Sequence, residues 1–176
     1  PAEVTAVVHR LDMDTSGLLV FARTQAAQRA LQTQFLKHTV KKRYEALLSG
    51  VVQQHGAAVD WQKQCISLPL RPDPYNRPLQ VVDPTNGKTA VSHFALGHIE
   101  NGQQHISLWP LTGRTHQLRV HCAHPDGLGC PIAGDPLYGR GIAPTPSKRL
   151  CLHAAQLCFT HPISGKPMTF NSVVPF

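Results

Sequence analysis

An Asn-Gly dipeptide at positions 101 and 102 lies between two segments in which apolar and polar residues alternate. These segments are residues 88–97 and 104–110, and a period of two residues is typical of strands with one buried face. Asn-Gly is the strongest short signal for a hairpin turn, because both residues accept a positive φ. The sequence therefore predicts an antiparallel hairpin, which commits this part of the chain to a β-sheet.

The segments on either side of the hairpin predict more strands and few helices. Residues 25–37 carry apolar side chains at helical spacing after Thr24, a good N-cap, and the apolar run 17–22 before it is strand-like. We expect further strands at 42–49, 150–159 and 167–170, and a short helix at 116–123. The sum is one α+β domain over residues 1–176, built on a mixed, mainly antiparallel sheet with few helices.

Prolines at positions 69, 72, 74, 78 and 84 interrupt the pattern of residues 51–85. Proline lacks the backbone N–H that a central strand or a helix interior needs. We therefore expect a long surface excursion here, with only short strands. A second loop, rich in glycine and proline, is expected at residues 125–146.

The 176 residues include 17 Lys and Arg against 10 Asp and Glu, a formal net charge of +7. This excess favours a polyanionic partner, because a positive field raises both phosphate affinity and association rate. No apolar run is long enough to cross a bilayer. The five cysteines form no Cys-x-x-Cys pair, which indicates reduced thiols and predicts a cytoplasmic protein.

Acidic and basic side chains cluster just before the first apolar strand. In an extended segment alternate residues share a face, so Arg10, Asp12 and Asp14 would point the same way. A carboxylate near a guanidinium stays ionised and suits a nucleophile or a base. The alternative is a turn in which residues 14–16 cap backbone groups ahead of a glycine. The spacing alone leaves both interpretations open.

A second candidate site is a basic turn followed by the short helix. Gly113 permits a sharp turn from which Arg114 emerges, and the helix would bring His116 and Arg119 within one turn of each other. Such a turn suits a phosphate or a partner carboxylate. An ordinary solvated helix end explains the same residues.

Two further features are less specific. Tyr44 lies beside basic residues on a strand, which suits base stacking or a half-buried strand position. Residues 121–130 contain His and Cys side chains that can bind a metal, but they lack the paired spacings typical of zinc. Apolar packing of the cysteines is the favoured interpretation.

Four sequence motifs occur along the chain in a specific order. They are His-Arg-Leu-Asp-Met-Asp-Thr-Ser-Gly-Leu-Leu-Val at 9–20, Lys-Arg-Tyr-Glu-Ala at 42–46, Leu-Thr-Gly-Arg-Thr-His-Gln-Leu-Arg-Val-His at 111–121, and Leu-His-Ala-Ala at 152–155 with His161 and Pro162. Together they resemble the RluA family of pseudouridine synthases, as does Pro-Ile-Ala-Gly-Asp-Pro-Leu-Tyr-Gly at 131–139. The resemblance spans essentially the whole chain and implies that family's mainly antiparallel fold.

The resemblance implies three catalytic assignments. Asp12 matches the family's catalytic aspartate, and Tyr44 matches the tyrosine that stacks on the target base. Arg114 matches the basic residue that pairs with the aspartate.

It also implies residues that bind RNA. Arg10 matches the arginine that fills the gap left by the flipped uridine, and Leu152 matches an aliphatic residue that lines the base pocket. His116 and Arg119, in the same basic block as the catalytic arginine, are expected to contact RNA.

The reaction implied is the isomerisation of specific uridines to pseudouridine in ribosomal or transfer RNA. It breaks and remakes one bond without a redox step, so neither a cofactor nor a metal is expected. Family members carry a further block before the His-Arg-Leu-Asp motif. This chain is therefore expected to be an N-terminally truncated catalytic domain.

Two other functions stay open at this point. A non-catalytic RNA-binding domain would retain the same fold and bind RNA without isomerising it. A metal-dependent nuclease or phosphotransfer site would use Asp12, Asp14 and nearby histidines as ligands.

Overall fold

The structure is a computed structural model that describes residues 6–54, 56–139 and 149–176. Across those ranges the chain is strand-rich with two helices, and the predicted α+β class is confirmed. In chain order the elements are β1 (Ala6–Val7), β2 (Ser16–Gly17), β3 (Phe21–Ala22), α1 (Gln25–Leu36), β4 (Lys41–Leu47), β5 (Val59–Asp60), β6 (Cys65–Pro72), β7 (Gln80–Val82), β8 (Lys88–Glu100), β9 (Gln103–Pro110), α2 (Gln117–Ala123), β10 (Leu152–Thr160) and β11 (Pro167–Asn171).

Most strands belong to one nine-stranded sheet. Its order is β11-β10-β4-β9-β8-β6-β5, with β2 beside β10 and β7 beside β6. Every pair in it is antiparallel except β2 with β10, which is parallel. The predicted mixed, mainly antiparallel sheet is thus confirmed, and β4 lies near its centre.

The predicted hairpin forms between β8 and β9. Asn101 and Gly102 have φ angles of 50° and 77°, as a two-residue turn of this type requires. Glu100 pairs with Gln103 across the turn, and the register shifts between Leu96 and Ile99. Pairing resumes beyond the bulge that this shift creates, so the two strands stay paired up to the turn.

The expectation of a surface excursion over residues 51–85 is wrong for β6. This strand pairs with β8, β5 and β7, and its side chains at Ile66, Leu68 and Leu70 are buried in the main core. In the sequence, the period of two between these three apolar residues indicates a strand with one buried face. Pro69 and Pro72 belong to β6, whereas Pro74, Pro78 and Pro84 lie in the turns on either side of β7.

The apolar run at residues 17–22 is not one continuous strand. It divides into β2 and β3, which join different sheets. Gly17 has a φ of 112°, and a Cβ built there would lie 2.4 Å from the carbonyl oxygen of Ala154. Only glycine combines this φ with so close an approach to β10.

Helix α1 forms as the periodicity predicts. Thr24 accepts a hydrogen bond from the backbone N–H of Ala27 at 3.2 Å, as expected of an N-cap. The helix buries Ala27 and Leu31 against Val8 and Ala22, a small apolar cluster distinct from the main core. This cluster holds the β1–β3 layer beside the large sheet.

The remaining expectations concern helix α2, the last strand pair and the cysteines. The short helix and the β10–β11 pairing are confirmed. All five cysteines are free thiols, as expected. Within the described ranges neither helix is long and apolar enough to span a membrane. Part of the loop expected at 125–146 lies outside the described residues.

The fully buried His121 and the half-buried His9 make the fold sensitive to acid. Burial lowers the pKa of His121 to about 4, and burial with the nearby Lys42 charge lowers the pKa of His9 to about 4 as well. Between the ordinary pKa of 6.5 and this lowered value, the unfolded chain binds more protons than the folded one. We expect the free energy of unfolding in urea to fall from about pH 7 to about pH 5.

The imidazole NMR resonances of these two histidines should titrate near the lowered pKa in the folded protein. If the free energy of unfolding were constant, or larger at about pH 5 than at about pH 7, these two histidines would not be the cause of acid sensitivity.

Candidate active site

A cleft of about 410 Å³ opens between the large sheet and the β1–β3–α1 layer. It is bounded by the segment before β2, the end of α1, strand β4, the turn before α2 and one side chain of β10. The residues that line it are His9, Arg10, Leu11, Asp12, Thr15, Phe35, Leu36, His38, Lys42, Tyr44, Pro110, Gly113, Arg114, Thr115, Gln117, Leu118 and Leu152. Five of the seven site residues predicted from the sequence meet here: Arg10, Asp12, Tyr44, Arg114 and Leu152.

Asp12 lies on a turn that is anchored at both ends. Its carbonyl oxygen accepts from the N–H of Thr15 at 3.1 Å, which closes the turn. Upstream, His9 Nε2 accepts from the N–H of Val20 at 3.0 Å, and the His9 ring stacks on Phe35 at 4.5 Å. These contacts fix the backbone on both sides of the carboxylate, so Asp12 is held towards the cleft.

The expected shared face of Arg10, Asp12 and Asp14 does not form. Asp14 has a φ of 71°, is exposed and does not line the cleft. The left-handed backbone at this position breaks the alternation that an extended segment would have. In place of an extended segment, residues 12–15 form a turn, and only Arg10 and Asp12 of the three reach the site.

The charges of the cleft are strongly unbalanced. Among the described residues that line it, Asp12 is the sole carboxylate, whereas Arg10, Lys42 and Arg114 contribute basic side chains. An anion that enters meets a positive field in a partly enclosed space, where electrostatic interactions are stronger than in bulk water.

The expected ion pair between Arg114 and Asp12 is not formed, although both side chains line the cleft and are described. Arg114 Nε donates instead to the carbonyl oxygen of Thr89 at 3.1 Å. Its backbone N–H donates to Gln117 Oε1 at 3.0 Å, so the side chain of the first helical residue closes the turn. Arg114 is thus positioned by β8 and α2, with its charge beside the cleft.

Tyr44 projects from β4, and its strand neighbours are Leu108 on β9 and Ala154 on β10. Burial and the negative charge of Asp12 raise the pKa of the Tyr44 hydroxyl to about 12. The hydroxyl therefore stays protonated at neutral pH. Leu152, which is buried on β10, forms an apolar part of the same wall.

Lys42 is a cleft residue that the sequence analysis did not assign. It lies two residues before Tyr44 on β4, and alternate residues of a strand share a face. Burial lowers the pKa of its ammonium group. The same alternation that places Tyr44 in the site could have identified Lys42.

Arg119, which was expected to contact RNA, lies in the interior and does not line the cleft. The residue is 1% exposed, and its guanidinium donates to Asp135 through Nε at 2.8 Å and Nη2 at 2.6 Å. Its Cζ atom also lies 5.3 Å from the ring centroid of Tyr138. Arg119 therefore holds α2 against the loop at 132–139, and its charge is neutralised internally.

His116 is likewise buried and does not line the cleft. Its Nδ1 atom lies 2.8 Å from the hydroxyl oxygen of Tyr138. Asp135 and Tyr138 belong to the block at 131–139, for which the sequence suggested no role. Burial of a basic side chain cannot be recognised from spacing, because the partner carboxylate is remote in sequence.

The nuclease interpretation needed a cluster of metal-binding groups around Asp12. Within the described part of the chain, the group of His, Cys, Asp or Glu side chains close enough to share an ion is His98, Glu100 and His105. These residues lie at the far end of the β8–β9 hairpin and include neither Asp12 nor Asp14.

Comparison with known proteins identifies the family. A sequence model described as RNA pseudouridylate synthase matches residues 2–124, which include the Asp12 turn, β4 and the Arg114 turn. The chain belongs to the RNA pseudouridylate synthase family. The resemblance to its RluA members, inferred from the sequence blocks, is confirmed.

Relatives of this synthase occur in several bacteria. It is 44% identical over 169 residues to the dual-specificity RNA pseudouridine synthase RluA of Haemophilus influenzae, which covers 96% of this chain and 73% of the relative. The protein of the same name from Escherichia coli K12 is 41% identical over 170 residues, with 96% and 73% covered.

Solved structures support the same fold. Human RNA Pseudouridylate Synthase Domain Containing 1 superposes with a TM-score of 0.77 at 27% identity, covering 98% of this synthase and 70% of that chain. Human RNA Pseudouridylate Synthase Domain Containing 4 gives a TM-score of 0.74 at 24% identity, covering 97% and 72%, and this likeness concerns the fold alone.

The two arginines of the basic block should respond differently when their surroundings are changed. Asp135→Asn leaves the buried Arg119 charge without its partner, so we expect the free energy of unfolding in urea to fall by about 3–5 kcal/mol. Arg114→Gln changes an exposed side chain, so stability should stay within about 0.5 kcal/mol, whereas pseudouridine formation should drop by about 100-fold or more.

Equal losses of stability in both variants would contradict this division. So would full activity of the synthase after the Arg114 substitution.

Proposed function

We propose that this chain isomerises uridine to pseudouridine in RNA inside the cleft, with Asp12 as the catalytic carboxylate. The observation that carries the proposal is that Asp12 is the single carboxylate among the described residues that line the cleft, beside three basic side chains and on a turn that two hydrogen bonds anchor. Family membership supplies the reaction and the RNA substrate. The cations suit the phosphates on either side of a bound uridine.

The chemistry needs one well-placed carboxylate. The bond between ribose C1′ and uracil N1 breaks, the base turns, and C1′ bonds to C5. The C5 proton then leaves to solvent and N1 gains a proton, so atoms and charge balance without a redox step. Asp12 acts either by covalent attack or by stabilising the cleaved sugar, and both routes require the ionised form. A cofactor is not needed.

Tyr44 is proposed to hold the base. Its ring stands on the cleft wall beside Leu152, where a flipped uracil can stack. Since its hydroxyl is protonated at neutral pH, it suits hydrogen bonding to the base better than removal of the C5 proton.

Arg10 is proposed to fill the space that the uridine leaves. It is exposed at the edge of the cleft, two residues before Asp12. Flipping a base costs a few kcal/mol of stacking and pairing. A guanidinium that stacks on the neighbouring bases offsets part of that cost.

The decisive experiment is tritium release from RNA labelled with 5-tritiated uridine. We expect Asp12→Asn to lower release by more than about 1000-fold, because the reacting carboxylate is lost. The matched control is Asp14→Asn, which changes an exposed carboxylate two residues away at a φ that asparagine tolerates. That control should keep wild-type activity.

Equal release from Asp12→Asn and the wild type would overturn the assignment of Asp12. RNA binding by the wild type without any release would favour the non-catalytic RNA-binding domain.

The substrate range is proposed from the relatives. Their names describe dual-specificity RNA pseudouridine synthases. We expect this chain to modify both ribosomal and transfer RNA, and to act in the cytoplasm where both occur. Pseudouridine mapping in each RNA fraction, from cells with and without the gene, should show sites lost in both fractions. Loss in one fraction only would limit the enzyme to one RNA class.

A further inference from the structure

The end of the β8–β9 hairpin brings together three side chains that can bind a metal ion. Among the described residues, His98, Glu100 and His105 each place a ring nitrogen or a carboxylate oxygen within 4.8 Å of the others. The rings of His98 and His105 stack with their centroids 4.1 Å apart, and His98 Nε2 lies 3.9 Å from Glu100 Oε2. This last distance is beyond hydrogen-bonding range, so these two atoms do not satisfy each other.

A β-bulge creates this arrangement. The register of β8 and β9 shifts between residues 96 and 99, so Gly97 and His98 both lie opposite His105. A Cβ at Gly97 would lie 3.2 Å from the Cβ of His105, so glycine at this position avoids crowding the His105 side chain. Glu100 follows His98 by two residues and therefore lies on the same face of the strand.

The three donors suit a zinc ion. Imidazole nitrogens together with a carboxylate oxygen are typical Zn²⁺ ligands, whereas Mg²⁺ and Ca²⁺ prefer oxygen ligands. Bonds from Zn²⁺ to these atoms are about 2.0–2.2 Å long, so the ligands of a tetrahedral centre lie about 3.3–3.5 Å apart. His98 and Glu100 are exposed, and the χ2 torsion of histidine has broad minima, so small rotations bring the donors to this spacing.

This cluster lies on the face of the sheet that is opposite the cleft. Tyr44, which lines the cleft, pairs with Leu108 on β9, and directly opposed residues share a face. His105 is three residues from Leu108, so its side chain points to the other face, about 10 Å along the strand. An ion bound there is separate from the groups that line the cleft.

A bound ion would stabilise the end of the hairpin. The pairing of β8 with β6 ends at His93, so the part of β8 that carries His98 pairs with β9 alone. His105, in contrast, lies opposite Leu47 on β4, in the interior of the sheet. An ion shared by the three side chains would tie the end of β8 to β9, and it would bind the folded chain more tightly than the unfolded one.

We propose that His98, Glu100 and His105 form a binding site for a divalent transition-metal ion, and that Zn²⁺ is the ion that fits the donors. The ion bridges β8 and β9 and stabilises the end of the hairpin. It takes no part in the reaction in the cleft, so the site is independent of the proposed isomerisation.

The test is isothermal titration calorimetry of the metal-free, full-length protein with ZnCl₂. We expect the wild type to bind one Zn²⁺ per chain at this site. His98→Ala and His105→Ala should each raise the Kd by at least about 10-fold, and Glu100→Gln by about 10-fold, because each removes a ligand. An excess of Mg²⁺ should not displace the Zn²⁺, since two of the three donors are nitrogens.

The matched control is His93→Ala, which removes another histidine of β8. His93 is half-buried and pairs with Trp109, so it shares the face of His105 but lies outside the cluster. This variant should bind Zn²⁺ like the wild type. In the wild type itself, the imidazole ¹⁵N resonances of His98 and His105 should shift together on addition of Zn²⁺, before those of the other histidines.

Zn²⁺ should also raise the thermal stability of the wild type. At a free concentration of about 100 times the Kd, we expect the Tm to rise by about 5–10 °C. The rise should be lost at the same Zn²⁺ concentration in the variant that carries both His98→Ala and His105→Ala.

Three results would overturn the proposal. The first is no binding of Zn²⁺ by the wild type. The second is an equal Zn²⁺ affinity in the wild type and in both histidine variants, which would assign the ion to other groups such as the cysteine thiols. The third is weakening in His93→Ala equal to that in His98→Ala. Tritium release enters none of these measurements, so failure of the proposed isomerisation would leave them unchanged.

Discussion

The buried ion pair between Arg119 and Asp135 holds the active-site side of this molecule together. It joins α2 to the loop at 132–139 across a stretch of sequence with no regular structure. A buried charge without a partner costs several kcal/mol, so neither residue is tolerable alone. The pair also places the ring of Tyr138 under the guanidinium, and Tyr138 in turn bonds to His116 and to the start of β7. The turn before α2 is thereby held at the cleft.

In the cleft, in contrast to the buried ion pair, the described charged side chains are not paired with each other. There the basic side chains line open space, and Asp12 has no ion-pair partner within the described ranges. Neutralising those cations internally would remove the attraction for RNA. The fold keeps the charges apart by binding Arg114 to a backbone carbonyl of β8 and by anchoring the Asp12 turn at both ends. The basic block of residues 111–121 thus contains one arginine beside the cleft and one that stabilises the fold.

Local patterns predicted much of the architecture. The β8–β9 hairpin depends on two turn residues, and α1 depends on a cap and a 3.6-residue period, so a short window of sequence suffices for each. The break in the segment at 17–22 depends on how closely Gly17 approaches β10, a contact remote in sequence. β6 forms despite its prolines because alternate residues of the strand are buried in the main core. The role of Arg119 depends on a carboxylate 16 residues away.

By itself, the sequence determined the α+β class, the basic character, the family and five of the residues that line the cleft, because motif sequence and short-range periodicity are properties of neighbouring residues. Only the tertiary structure decided which basic and acidic side chains line the cleft and which are buried. It buried Arg119 and His116, left Arg114 and Asp12 apart, and added Lys42 to the site. The physical reason is that the cost of a charge depends on burial and on its nearest partner, and residues distant in sequence set both.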